Sequence, residues 1–179
     1  MSKAIIFLAD GFEEVEAIGV YDILKRANVE TLLISVKDDL LVTSAHSLVV
    51  KADISINDFN DDFDLVFVPG GMPGSAVLAE NKKVIELVNK GLENSLVAAI
   101  CAAPALVLAK NNLVDGAKIT CYPGFEYESD KVEFTKENLV VCNNLLTAKS
   151  AMYAIDLGLE IVKKLVNEET SEQIRNSIK

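Results

Sequence analysis

The chain alternates short apolar runs with longer segments in which apolar residues recur every three or four positions. Four runs are apolar without polar alternation, which predicts strands buried on both faces. They span residues 4–9, 31–36, 65–68 and 96–100. Helical spacing predicts helices at 13–27, 84–92, 102–110, 152–166 and 171–178. A hairpin is predicted over 40–50, and further short strands around Ile119, Val132 and Val140.

This order of elements predicts a flavodoxin-like, doubly wound α/β/α sandwich with a mostly parallel central sheet. In such folds the ligand site lies at the carboxyl ends of the strands, near the point where strand order reverses. Three places in the chain meet that description. They are Asp10–Gly11, Pro69–Gly71 and Cys101.

Length and composition narrow the class of protein. A chain of 179 residues predicts a single domain over 1–179. Its net charge of −10 is the wrong sign for nucleic-acid binding. No apolar run approaches the ~20 residues of a membrane span, and the first apolar run is too short for a signal peptide. We therefore expect a cytoplasmic protein that binds neither nucleic acid nor membrane.

The count of metal-binding and nucleophilic side chains excludes further classes. The chain has three cysteines without a C-x-x-C pair, and His46 is its single histidine. A disulfide framework, a zinc cage and a multi-histidine metal site are therefore not expected. No dinucleotide fingerprint, P-loop or flavin-phosphate loop follows the strands, so we expect no cofactor and no metal.

Cys101 has the sequence context of a nucleophile elbow. An apolar strand runs into this cysteine and straight on into a helix, with small alanine neighbours that would allow a tight turn. A cysteine at a helix N-terminus is favoured as the thiolate. The alternative is a cysteine that only fills the core, because this residue type is often buried.

Glu16 is the second candidate residue. It shares one helical stripe with apolar residues, namely Phe12, Gly19, Val20 and Ile23. A carboxyl on that face loses solvent, which raises its pKa unless it is paired. The alternative is that Glu16, in the first turns, reaches solvent at the helix end.

Other residues give weaker signals. Gly70 and Gly71 end a strand and could let backbone amides approach a ligand, or could form a plain turn. His46 lies at the hairpin and is interpreted as a surface residue. Cys121 and Cys142 fall in strand-like runs and are predicted to be core residues.

Three motifs in register resemble the DJ-one/ThiJ/PfpI superfamily, in the branch of the parkinsonism-associated protein deglycase and its bacterial relatives. They are Asp-Gly-Phe-Glu-Glu-Val-Glu at 10–16, Val-Pro-Gly-Gly at 68–71 and Ala-Ala-Ile-Cys-Ala-Ala-Pro at 98–104. The resemblance implies a homodimer with a reactive cysteine at Cys101 and a protonated acid at Glu16. It also implies an oxyanion pocket formed by the amides of Gly71 and Ala102.

Two departures from the family pattern change the expected site. Tyr122, before Pro123, stands where deglycase-type members carry a histidine, and both residues are expected to line the pocket with Gly70. Residues 148–152 replace a Ser-Arg-Gly-Pro-Gly segment. His46 falls where relatives place a group that reaches the partner subunit's site.

The resemblance therefore implies slow, Cys101-dependent deglycase or glyoxalase chemistry. The expected substrate is a small carbonyl compound such as methylglyoxal, or its adducts on amino and thiol groups. An alternative is a non-enzymatic oxidant sensor or redox-regulated chaperone that acts through a Cys101 sulfinate. Peptidase or amidotransferase activity is a third possibility, but it needs a histidine that Tyr122 replaces.

Overall fold

A seven-stranded sheet forms the centre of the computed structural model, which describes residues 2–179. Its strands, from one edge to the other, follow the order β10-β11-β7-β6-β1-β2-β5. They are β1 (Lys3–Leu8), β2 (Glu30–Ser35), β5 (Ile54–Ser55), β6 (Leu65–Val68), β7 (Leu96–Ile100), β10 (Leu139–Cys142) and β11 (Leu145–Ala148). All pairs are parallel except β10 with β11. The sheet confirms the predicted flavodoxin-like α/β fold.

Four additional short strands lie outside this sheet. β3 (Leu41–Thr43) and β4 (Val49–Lys51) form the predicted antiparallel hairpin. β8 (Lys118–Ile119) and β9 (Glu133–Phe134) form a small parallel pair. An isolated bridge between Phe12 and Ser44 attaches the hairpin to the loop that follows β1.

Both faces of the sheet are covered by helices. α1 (Glu14–Arg26), α4 (Ala154–Leu165) and α5 (Glu168–Ser177) contribute to one core cluster. α2 (Gly74–Glu80), α3 (Lys82–Asn94) and a π-helical segment at Pro104–Ala109 contribute to the other. None of the helices among residues 2–179 has the length and apolar character needed to cross a bilayer.

Strand β1 shows why a continuous apolar run predicts a buried strand. Ala4, Ile6 and Leu8 pack into one core cluster, while Ile5 and Phe7 pack into the other. Successive side chains point to opposite faces, so a strand covered on both sides needs an apolar residue at every position.

The structure differs from the predicted elements in several places. β5, β11 and α2 were not predicted, and the helix expected to end near Gly91 continues to Asn94. Gly91 lets the helix pack closely on the sheet, because a Cβ there would come within 2.8 Å of the Val66 side chain. The helix predicted over 102–110 is a π-helix, in which the amide of Lys110 donates to the carbonyl of Ala105.

Candidate active site

Cys101 lies at the carboxyl end of β7 in a backbone conformation that non-glycine residues rarely adopt. Its φ is +64°, in the left-handed region. Two backbone hydrogen bonds hold it there: its amide donates to Ala148 O at 2.9 Å, and its carbonyl accepts from Tyr122 N at 2.8 Å. The side chain remains partly exposed. A strained, solvent-accessible residue between a strand and a helix has the geometry of a nucleophile elbow.

Glu16 is fully buried, as the helical stripe predicts. Its backbone amide donates to the carboxylate of the N-cap residue Glu13 at 2.7 Å, which fixes the first turn of α1. Its Oε2 accepts from Gly70 N at 2.8 Å. Its Oε1 is buried without a partner in regular hydrogen-bond geometry. The carboxyl therefore keeps one oxygen available inside the protein.

Gly70 brings the acid and the thiol together. A Cβ at position 70 would overlap Oε2 of Glu16 and would come within 2.6 Å of Cys101 Cβ. The loop after β6 can pass between these two side chains only because it carries no side chain there. Gly70 is thus part of the site by its size, as well as through its amide.

The pKa values of the two groups depend on each other. Burial raises the pKa of Glu16 to about 7, and the hydrogen-bonding interaction with Cys101 opposes that rise. Burial also raises the pKa of Cys101 to about 12, and the charge of the Glu16 carboxylate adds to this. Between about pH 7 and about pH 12 the pair therefore holds one proton that the two groups share.

The raised pKa of Cys101 corrects the expectation that its thiol has a lowered pKa. While Glu16 is ionised, Cys101 is kept as the neutral thiol. A thiolate is favoured only when Glu16 holds the shared proton, because the repelling charge is then absent. The position of one proton decides whether the sulfur is nucleophilic.

The backbone amides of Gly71 and Ala102 both interact with the Cys101 sulfur. Their hydrogen bonds lower the pKa of Cys101, against the larger effect of burial. Gly71 has a φ of +94°, and a Cβ there would come within 2.5 Å of Gly11 O. The structure thus brings both predicted oxyanion donors to the sulfur.

Tyr122 and Pro123 lie beside the elbow and are exposed. The Tyr122 amide is bonded to the Cys101 carbonyl, and its ring contacts Phe125 edge-on with centroids 6.2 Å apart. The residue is 45% exposed. Tyr122 is therefore a rim residue, held next to the elbow by its backbone.

His46 is not brought to the site of its own chain. Its Nδ1 lies 3.0 Å from Oε2 of Glu14, and its side chain is mostly exposed. Donor atoms of Glu13, Glu14 and His46 lie within 4.8 Å of one another. The Glu13 carboxylate caps α1 and that of Glu14 pairs with His46, so these side chains already have partners. The expectation of no metal and the proposed reach of His46 to a partner subunit remain predictions.

The other two cysteines differ from each other. Cys121 is buried, as predicted, and burial followed by the charge of Glu126 raises its pKa to about 11. Cys142 was predicted to be a core residue, but it is partly exposed because it ends the edge strand β10. Sequence analysis also missed the capping role of Glu13, whose signal is an acidic side chain three residues before Glu16.

Comparisons with known proteins agree with this geometry. The DJ-1/PfpI family model matches residues 2–164. Protein dj-1beta of Drosophila melanogaster is 31% identical, over 99% of this chain and 97% of that protein. A glutathione-independent glyoxalase, DJR-1.2 of Caenorhabditis elegans, is 26% identical over 97% and 93%. The chain spans less than half the length of two Arabidopsis thaliana relatives, the DJ-1 homologs A and B.

Solved structures show the same fold over almost the whole chain. The Drosophila melanogaster DJ-1beta crystal structure superposes with a TM-score of 0.94 at 30% identity, over 99% of this chain and 98% of that one. Oxidised Toxoplasma gondii DJ-1 gives the same TM-score, identity and coverage. The family model covers most of the sequence, and these structures share its architecture. The chain therefore belongs to the DJ-1/PfpI family.

Proposed function

We propose that the protein converts small reactive carbonyl compounds, such as methylglyoxal or its adducts, by using Cys101 as a nucleophile. The observation that carries this proposal is the buried Glu16 carboxyl, which shares a proton with a partly exposed thiol on a strained elbow. A buried acid beside a nucleophile suits general acid–base chemistry near neutral pH.

The first step joins sulfur to the aldehyde carbon. With the shared proton on Glu16, the Cys101 thiolate attacks that carbon and the carbonyl electron pair moves onto oxygen. Glu16 then donates its proton to this oxygen, which gives a neutral hemithioacetal and a carboxylate. The chemistry therefore uses both protonation states of Glu16 in turn.

The later steps convert the hemithioacetal into lactate. The Glu16 carboxylate accepts the proton from the former aldehyde carbon, and the neighbouring ketone oxygen takes up a proton from water, which gives an enediol. The proton on Glu16 then passes to the adjacent carbon while the hydroxyl on the former aldehyde carbon releases its proton to water, leaving a lactoyl thioester on Cys101. Water then attacks the thioester, releasing lactate and restoring the thiol. The net reaction is methylglyoxal plus water giving lactic acid, so no oxidant or reductant is consumed.

The amides of Gly71 and Ala102 support the charge that develops on oxygen in the first and last steps. Loss of one such donor costs roughly 3–4 kcal/mol of transition-state stabilisation in other enzymes. Tyr122 replaces the histidine of deglycase-type members, which removes the usual third catalytic group. We therefore expect slow turnover.

The name of the Caenorhabditis elegans relative, a glutathione-independent glyoxalase, supports the same substrate class. The test is lactate formation from methylglyoxal by the wild-type protein and by Cys101→Ser, with Cys142→Ser as the matched control. We expect loss of turnover in Cys101→Ser alone. Equal rates in all three proteins would rule out this function.

A second candidate function is oxidant sensing by the same cysteine. Peroxide would oxidise Cys101 to the sulfenic and then the sulfinic acid, with release of one water at each step. The Toxoplasma gondii neighbour was solved in an oxidised form, which supports this alternative. Mass spectrometry after mild peroxide treatment should show two added oxygens at Cys101. Oxidation confined to Cys121 and Cys142 would refute it.

We also propose a homodimer. An apolar patch on the outer face of α1 and the hairpin tip exposes Val15 (53%) and Leu48 (47%), and Ile18 lines the same hollow. Exposed apolar patches of this kind mark interaction surfaces. Sedimentation should give about twice the mass of the chain, and Val15→Glu should reduce it to the mass of a monomer. A wild-type protein that sediments as a monomer contradicts the proposal.

A further inference from the structure

A cavity of about 230 Å³ is lined by chain segments that neighbour the elbow. Its lining combines apolar side chains with charged ones. The residues are Cys121, Pro123, Glu126, Phe134, Thr135, Lys136 and Lys149. The proposed reaction at Cys101 gives this cavity no role.

Backbone hydrogen bonds connect two walls of the cavity to Cys101. The Cys101 amide donates to Ala148 O, and Lys149 is the next residue. The Cys101 carbonyl accepts from the amide of Tyr122, whose neighbours in the chain are Cys121 and Pro123. Lys149 in one wall, and Cys121 and Pro123 in the other, are therefore each next in the chain to a residue that forms a backbone hydrogen bond with Cys101. Adjacent Cα atoms lie about 3.8 Å apart.

The charges in the cavity favour an anion. Among residues 2–179, neither Lys136 nor Lys149 has a carboxylate within ion-pair distance. The Lys149 ammonium donates instead to the carbonyl of Lys136, at 3.1 Å. Glu126 is the one carboxylate in the lining, and it accepts from the amide of Gly124 at 2.6 Å. Two lysines and one glutamate therefore line the cavity, so its lining carries a net positive charge in a chain whose net charge is −10.

We propose that this cavity is a subsite for a carboxylate carried on the carbonyl substrate. Lys136 and Lys149 would bind the carboxylate, while Phe134 and Pro123 would contact the apolar part of the same substituent. Adducts that a reactive carbonyl forms on amino acids carry such a carboxylate, whereas methylglyoxal itself does not. The inference rests on the proposed function and selects, among its substrates, those bearing an anionic group.

The experiment measures binding without turnover, in the Cys101→Ser protein. Benzoate is titrated into ¹⁵N-labelled protein, and the amide shifts of Cys121, Thr135 and Lys149 report the position of binding. Benzamide is the neutral probe of nearly the same shape. Lys149→Gln and Lys136→Gln remove one ammonium each, and Lys82→Gln removes an exposed lysine from the start of α3 as the matched control.

We expect benzoate to shift these three amides and to bind at least about fivefold more tightly than benzamide. Each cavity lysine variant should weaken benzoate binding by about fivefold, and Lys82→Gln should leave it unchanged. The subsite would be overturned if benzoate and benzamide bound with equal affinity, or if benzoate shifted only amides outside the cavity. It would also be overturned if neither lysine variant weakened benzoate binding. Methylglyoxal turnover is measured separately from benzoate binding. If the wild-type protein shows no turnover, the proposed function fails, but the benzoate-induced amide shifts would still be observed.

Discussion

Two glutamates in the first turn of α1, only two residues apart, lie in opposite environments. Glu16 faces inward, is fully buried, and has its pKa raised to about 7, chiefly by burial. Glu14 faces the hairpin, where its carboxylate pairs with His46. Desolvation raises the pKa of Glu14, but the hydrogen bond to His46 and further hydrogen bonds outweigh it, so the pKa is lowered.

The comparison shows that position on the helix, more than residue type, decides what each carboxyl can do. Two residues along a helix correspond to a rotation of about 200°, which takes a side chain from the core to the surface. Glu16 shares a proton with a thiol inside the protein, whereas Glu14 forms an exposed ion pair whose charge is screened by solvent. The same residue type thus gives a chemical group at one position and a surface contact at the other.

The largest expected effect, complete loss of turnover, comes from filling the space between Glu16 and Cys101. Gly70→Ala would place a Cβ into the Glu16 carboxylate and against Cys101 Cβ. Overpacking of this kind costs about 1–3 kcal/mol of unfolding free energy, and displacement of either group should abolish methylglyoxal turnover. Urea unfolding and lactate assays measure the two effects.

Gly19→Ala is the control for this prediction. A Cβ at position 19 meets only ordinary contacts, at 3.5 Å from Ala154 and 3.6 Å from Ile155. Alanine is also the better helix former, by about 1 kcal/mol. We expect Gly19→Ala to be at least as stable as the wild type. If Gly70→Ala kept the stability and activity of the wild type, the close approach of Glu16 and Cys101 at Gly70 would be unimportant.

The next largest effect is the pH dependence of stability caused by Glu16. Its pKa in the folded protein is raised from the ordinary 4.5 to about 7, so the proton binds more tightly to the folded than to the unfolded chain. This contribution to the free energy of unfolding is fully present below pH 4.5 and is lost as the pH rises through about 7. The loss is roughly 3 kcal/mol. Gln is neutral throughout, so Glu16→Gln should gain that amount relative to the wild type between pH 4.5 and 7.5.

Urea unfolding of both proteins at several pH values measures this difference. Glu14→Gln serves as the comparison, because the lowered pKa of Glu14 gives the opposite sign and solvent screening makes the effect small. If the difference in unfolding free energy between Glu16→Gln and the wild type stayed constant from pH 4.5 to 7.5, ionisation of the buried carboxyl would cost little.

The smallest expected effect is a change in the pKa of His46, which forms an exposed pair with Glu14. Glu14 raises the pKa of His46, first through their hydrogen bond and then through its charge. Glu14→Gln should therefore bring the pKa of His46 down toward its ordinary 6.5. His46 is the single histidine of the chain, so its ring protons can be followed directly by ¹H NMR. An unchanged titration would show that the pair does not form in solution.

Sequence patterns predicted the elements that place the site. Continuous apolar runs located β1, β6 and β7, and the helical stripe put Glu16 on the buried face of α1. These features depend on neighbours close in the chain, which a sequence displays directly. The position of Cys101 at the end of a buried strand followed from the same patterns.

Other features depend on contacts between distant segments. The raised pKa of Cys101 arises from burial and from a carboxylate 85 positions earlier in the chain, which local spacing does not show. The pairing of Glu14 with His46 joins α1 to the hairpin over 32 positions. α2 escaped prediction because Pro73 and Gly74 at its start are typical of a turn.

The central claim is that Glu16 and Cys101 share one proton, and the pH dependence of Cys101 alkylation tests it most directly. The rate with iodoacetamide, followed by mass spectrometry of the Cys101 peptide, should rise through pH 7 and then level off, because the first proton leaves the pair there. In Glu16→Gln this step near pH 7 should disappear, and a single rise with the pKa of the thiol should replace it. A wild-type profile without the step, or one that Glu16→Gln leaves unchanged, would contradict the account.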